Sequence, residues 1–239
     1  MYKLTLTAVF IFCNLPLSSV APNTREEPII YLLPGTGADC RLFNKINFPF
    51  DTVHLEFPIP EKKTSMQEYA NSFIPRIDTN RSFILMGVSL GGMICSELAD
   101  TLSPEKIIII SGAKCRHELP ARYKFQKYVP LNRLAPKKTI KWGSKILAPA
   151  VEPERKQDSI FRAMLMAKDP HYLKWTVNMI INWEKAAFDS NIVHIHGDND
   201  HTLPVRRVHF DYLVPGGTHM MVYIRGKELS ELVNHILSE

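Results

Sequence analysis

Ser89 stands in the stretch Gly87-Val88-Ser89-Leu90-Gly91-Gly92, between an apolar run at 83–86 and a helix-like segment that begins at Met93. A Gly-x-Ser-x-Gly pattern at a strand-to-helix junction lifts a serine hydroxyl above the carboxyl edge of a parallel sheet. A hydroxyl is a weak nucleophile near neutral pH, so chemistry here requires a base to take its proton and an acid group to orient that base. The plainer alternative is a tight turn in which Ser89 only caps the following helix. The remainder of the chain must decide between them.

Nine histidines are available as the base. His219 follows Gly216-Gly217-Thr218 directly after the last apolar run, a position at the carboxyl end of a strand, where open α/β sheets carry their sites. His54, inside an expected strand, and His235, on the expected final helix, have structural explanations. For the acid, His196-Gly197-Asp198-Asn199-Asp200 closes the preceding strand, and both carboxylates qualify. Asp200 is preferred as the partner of His219, and Asp198 suits a turn or helix cap. A zinc site on the same stretch would draw on His194, His196, Asp198 and His201, which are good ligand types. Asn199 stands where the His-x-His-x-Asp-His metal pattern needs its next histidine, so neither metal nor cofactor is expected.

The elements that must position these residues can be read from hydrophobic patterning. Strand candidates are 28–33, 52–57, 82–86, 106–111, 191–196 and 211–214. The fourth holds four consecutive isoleucines, the mark of a strand buried on both faces of a parallel sheet. Helices are expected from the Ser65-x-x-Glu68 capping box to about residue 74, from the serine turn to about 102, and over 228–237. Alternating strands and helices predict a mostly parallel, doubly wound α/β sheet of about six strands. Residues 113–190 lack a strand pattern and read as a helical cap inserted into a core of 22–112 and 191–239. Asp169-Pro170 is a helix start within that cap. Trp175 and Trp183, eight residues apart on one helical face, serve either as packing against the sheet or as a wall of the substrate pocket.

Taken together, Gly87-x-Ser89-x-Gly91, Gly197-x-x-Asp200-x-x-x-Pro204 and Gly216-Gly217-x-His219 resemble the α/β-hydrolase superfamily, in particular small bacterial serine hydrolases and esterases. The resemblance runs from the Pro34-Gly35 loop to the final helix. It implies a Ser89–His219–Asp200 triad, an oxyanion hole made by the backbone N–H groups of Leu90 and Thr36, and cleavage of a carboxylic ester through an acyl-enzyme. A serine at this place argues against the dehalogenase and epoxide-hydrolase branches, which use aspartate. Two departures stand out: the family's first two strands are missing, and the interval from Asp200 to His219 is short. A thioesterase on the same residues is the alternative within the superfamily, and it requires a cytoplasmic chain. A non-catalytic binding protein on the same fold is the alternative outside enzymology.

Composition bounds the rest. The chain of 239 residues is 45% apolar and 22% charged, enough for one domain with a substantial core. Lys3 is the only charge before Arg25, and an apolar stretch at 4–13 is followed by Asn14, Pro16 and small residues. This reads as a signal peptide over 1–21 that exports the chain to the periplasm or medium and is too short for a membrane span. Cys40, Cys95 and Cys115 would remain, an odd number that makes no disulfide framework. A net charge of +5 demands no nucleic acid. The expected partner is a small-molecule acyl substrate, with no stable membrane insertion of the mature chain. Lys137, Lys138, Lys141 and Lys145 are read as a solvated helix face.

Overall fold

The computed structural model describes residues 27–128 and 159–239. The expected signal peptide and the four cap lysines fall outside them. Six strands form one sheet: β1 (Ile29–Leu33), β2 (Thr52–His54), β3 (Phe83–Val88), β4 (Lys106–Ile110), β5 (Ile192–Gly197) and β6 (Tyr212–Val214). Their order across the sheet is β2-β1-β3-β4-β5-β6 and every pairing is parallel. The expected parallel, doubly wound α/β sheet is what the chain forms.

Period-two alternation along buried strands divides the apolar residues between two layers. Tyr31, Leu33, Leu85, Ile107 and Ile109 face one side. There they meet α1 (Met66–Asn71), the turn just after it and α2 (Leu90–Leu98) through Tyr69, Phe73, Ile94 and Leu98. Their neighbours Ile30, Leu32, Met86, Ile108 and Ile110 face the other side. These pack on α7 (Gly226–Ser238) through Leu229, Val233 and Ile236. Between β4 and β5 the described residues hold α3 (Ala121–Tyr128), α4 (Ser159–Ala167) and α5 (Pro170–Ile181); α6 (Met221–Ile224) follows the last strand.

Several boundaries differ from those expected, for local reasons. β2 stops at His54 rather than 57. The Leu55 N–H donates to the Leu32 carbonyl, but the next rung needs an N–H from Pro34, which has none. α1 does open on the Ser65–Glu68 capping box. It ends at Asn71 because Pro75 supplies no N–H to carry it further, and a 3-10 turn at Ile74–Arg76 replaces the expected last turn. α2 ends at Leu98, although the Leu102 N–H still bonds the Leu98 carbonyl, so the difference from 102 is one frayed turn.

Trp175 and Trp183 do not share a helical face. Asp169 caps α5 as expected, but the helix stops at Ile181, where Asn182 turns its side-chain amide back onto the Asn178 carbonyl. Trp183 lies beyond that end, buried, with its indole N–H donating to the Glu97 carboxylate on α2. Trp175 stays half-exposed, beside Lys62, Lys63 and Lys174.

The tightest packing is backbone against backbone. A Cβ on Gly91 would lie 2.0 Å from the Leu33 carbonyl oxygen, and one on Gly87 would lie 2.3 Å from the Gly91 carbonyl carbon. Gly91→Ala should therefore push α2 off the β1 end and cost roughly 3 kcal/mol or more, at the upper end of overpacking. A urea midpoint lowered at unchanged slope is the expected result, and an unchanged midpoint would contradict it.

Candidate active site

The turn from β3 into α2 sets Ser89 at φ 54°, ψ −113°, a left-handed backbone that non-glycine residues avoid. This is not the geometry of a serine cap, and the Ser89 side chain makes no cap bond to α2. The turn aims Oγ outward at the carboxyl edge of the sheet. The Ser89 N–H donates to the Ile110 carbonyl and the Ser111 N–H to the Ile195 carbonyl, so the ends of β3, β4 and β5 are laced together.

The structure brings three of the sequence candidates into contact. His219, in the loop after β6, places Nε2 3.0 Å from Ser89 Oγ and Nδ1 2.8 Å from Asp200 Oδ2. A carboxylate only accepts, so Nδ1 carries the ring proton and Nε2 is left to accept from the serine hydroxyl. The other Asp200 oxygen accepts from the Thr202 and Leu203 backbone N–H groups at 2.8 and 2.7 Å. The carboxylate is fully enclosed. Burial pushes its proton affinity up, but His219, the Leu203 amide and His196 together outweigh burial and hold it below the ordinary carboxylate range. Asp198 is exposed, and its Oδ1 accepts the Gly216 N–H at 2.6 Å. It ties the two loops and does not reach His219.

Gly197 and Gly217 explain how those loops come close. A Cβ on Gly197 would sit 2.1 Å from the Gly217 carbonyl oxygen. The short interval between Asp200 and His219 holds a single 3-10 turn (Val205–Arg207) and β6, in place of a full helix.

The loop after β1 also runs against Ser89. A Cβ on Gly35 would lie 3.2 Å from the Ser89 Cβ. Among the described residues, neither the Thr36 nor the Leu90 backbone N–H has a hydrogen-bond acceptor. Leu90 opens α2, whose positive end favours a negative charge beside it. The Thr36 hydroxyl is also buried without a partner. Beside this loop a cavity of about 200 Å³ is lined by Pro34, Asp39, His54, Glu56, Phe57 and Lys168, among others. Burial lowers the proton affinity of Lys168, opposed by Asp39 and Glu56. A larger cavity, about 660 Å³, lies at the far end of α2 around Glu97, Asp100 and Lys185, away from the serine.

No family sequence profile matches the chain, and no protein of curated function matches it in sequence. Solved structures do. A hydrolase from Pseudomonas aeruginosa superposes with a TM-score of 0.70 at 16% identity, over 90% of this chain and 91% of that one. A thermophilic esterase from Thermogutta terrifontis gives 0.70 at 12% identity over 89% and 90%. An enol-lactonase from Burkholderia xenovorans gives 0.70 at 13% identity over 89% and 92%. The chain has the α/β-hydrolase fold.

Three features of this site were not read from sequence as part of it. His196 and His194 meet edge to face beside Asp200, with rings 5.1 Å apart and nearly perpendicular. Burial lowers the proton affinity of both, with His196 adding to the effect on His194 and Asp200 opposing it on His196. Both rings are enclosed by backbone carbonyls and by each other, an arrangement unlike a zinc site. Ser111, at φ 49°, repeats the left-handed turn at the end of β4, and the only sequence signal for it was the Gly112 that follows. Glu118, buried, accepts the Lys114 and His209 backbone N–H groups. Nothing in the sequence marked it.

This geometry predicts that Ser89 is phosphonylated by a serine-directed fluorophosphonate. Asp200→Asn should slow that labelling by roughly 10³-fold or more through loss of the correct imidazole tautomer. Asp198→Asn should stay within a few-fold of the parent rate and cost about 1 kcal/mol of stability. Equal labelling rates for the two variants would refute the assignment of Asp200.

Proposed function

We propose that the chain is a serine hydrolase that cleaves a carboxylic ester of a small molecule. The observation that carries this reading is the continuous line Ser89 Oγ···His219 Nε2 and Nδ1···Asp200, at 3.0 and 2.8 Å, with the serine held on a left-handed turn. The solved structures that share the fold, an esterase and a lactonase among them, are consistent with it.

In this scheme His219 Nε2 accepts the Ser89 proton as Oγ attacks the ester carbonyl carbon. The carbonyl π electrons move to oxygen, and that oxyanion lies between the N–H groups of Leu90 and Thr36. Asp200 stabilises the imidazolium without taking its proton. Collapse expels the alkoxide, which leaves as alcohol with the proton from His219, and an acyl ester of Ser89 remains. Water then repeats the sequence, giving the carboxylic acid and free Ser89. Residues 113–190 serve as the cap that shapes the acyl and alcohol pockets. Among the described residues no helix is long and apolar enough to cross a membrane.

Ser89→Ala should reduce ester hydrolysis by on the order of 10³-fold or more, because only binding and the oxyanion donors remain. The change removes one oxygen and little packing, so the thermal midpoint should move by no more than a few degrees. A chain-length series of simple esters measured on both proteins is the test, and substantial turnover by the variant would sink the reading. Export is part of the proposal. Intact mass of the protein from its native host should place the mature start near residues 20–22, and a full-length mass in the cytosol would refute it.

A further inference from the structure

Behind Asp200 the chain lines up four polar sites. The His209 carbonyl lies 2.9 Å from His194 Nδ1, His194 Nε2 lies 3.2 Å from His196 Nδ1, and His196 Nε2 lies 2.8 Å from the Leu203 carbonyl. A carbonyl only accepts, so each terminal contact needs a proton on the ring nitrogen. The middle contact needs a proton on one of its two nitrogens. Three contacts therefore require three protons, and two neutral imidazoles carry two. Any neutral arrangement leaves two lone pairs facing each other in a fully buried place, the most costly form of an unmade hydrogen bond.

We propose that His194 and His196 hold one extra, shared proton in the resting protein, and that the positive charge so placed competes with His219 for the Asp200 carboxylate. The groups around the pair act in both directions, and on balance burial lowers the proton affinity of each ring, so it is the hydrogen-bond geometry that calls for one proton and no more. His196 Nε2 lies 3.5 Å from Asp200 Oδ2, both side chains being fully enclosed. Glu118, also buried, acts on His196 in the same sense, and the Asp211 carboxylate accepts the His194 backbone N–H at 2.7 Å. Against them stand buried Lys114, the His219 ring and burial itself. The His209 ring points to solvent, 3.4 Å from Glu118. A second proton would put two cations face to face in the core. One proton completes the chain of hydrogen bonds and balances the buried carboxylate.

The consequence for catalysis has a definite sign, and only this part rests on the serine-hydrolase reading. A cation 3.5 Å from Asp200 Oδ2, the same oxygen that His219 Nδ1 meets at 2.8 Å, competes for that carboxylate and weakens its hold on an imidazolium at His219. Removing that cation should strengthen the hold. His194 and His196 are positioning residues in this scheme and touch no substrate.

Two measurements test it. In the unmodified protein with ¹⁵N-labelled histidine, long-range ¹H–¹⁵N correlation counts protonated ring nitrogens. At about pH 8, where exposed imidazoles are neutral, three of the four nitrogens of His194 and His196 should carry protons. A count of two overturns the proposal. That count needs neither turnover nor a variant, so its failure is separate from a failure to hydrolyse esters. His194→Phe keeps the aromatic edge contact and removes the shared proton. The acidic limb of its kcat/KM profile should move up by about one pH unit or more, the scale of one partly buried charge at this distance. A merely structural role would lower activity at every pH and leave the limb in place, which would overturn the catalytic half. If the variant does not fold, the nitrogen count decides.

Discussion

Everything at the carboxyl edge depends on how closely α2 approaches the end of β1. Gly91 sits against the Leu33 and Pro34 carbonyls and Gly87 against Gly91 itself, with no room for a Cβ at either place. Only at that distance does the chain turn from β3 into α2 within one residue, and that residue is Ser89. The left-handed backbone at Ser89 costs of order 1–3 kcal/mol. It is tolerated because the sheet below is buried on both faces and the Ser89 N–H is held by the Ile110 carbonyl. The same approach runs the Pro34–Gly37 loop past the serine. It leaves the backbone N–H groups of Thr36 and Leu90 without acceptors among the described residues.

The second layer of the design is electrostatic. Asp200 is a carboxylate with no exposed surface, and an unpaired charge there would be expensive. The chain meets that cost with two backbone amides on one oxygen and His219 on the other, with His196 at a slightly longer distance. These partners come from three places: the turn after Asp200, the loop after β6 and the interior of β5. Asp198, two residues earlier, is solvated and can be held by a single loop amide. Two aspartates in one short loop thus differ in kind because one of them is desolvated.

Much of this was legible in the sequence, and the reasons are local. The six strands could be read because a parallel strand buried on both faces is apolar throughout, as 106–111 is, and because proline and glycine punctuate its ends. Ser89, Asp200 and His219 were legible as neighbours because each follows a strand directly, and the carboxyl ends of adjacent parallel strands meet in space. Strand and helix ends were less legible where a single missing N–H decided them, as at Pro34 and Pro75. The pairing of Trp175 with Trp183 was misread because a side-chain amide, that of Asn182, ended the helix before the second tryptophan. No periodicity records such a cap.

The histidines of β5 were hardest to read, and the difficulty is instructive. In the sequence His194-x-His196 suggests metal ligation, since alternate residues of a strand face the same way. The fold does put both rings on one side, but it closes that side with the carbonyls of His209 and Leu203, acceptors that no side-chain pattern announces. An imidazole facing a carbonyl must keep its proton there, so the ligand-like spacing becomes a proton-holding one. What separates the two outcomes is the path of the loops at 199–211 over the end of β5. That path is itself fixed by Asp200 gathering the Thr202 and Leu203 amides. The residue that faces His219 on one side thus builds, on its other side, the enclosure that decides what the two histidines can be.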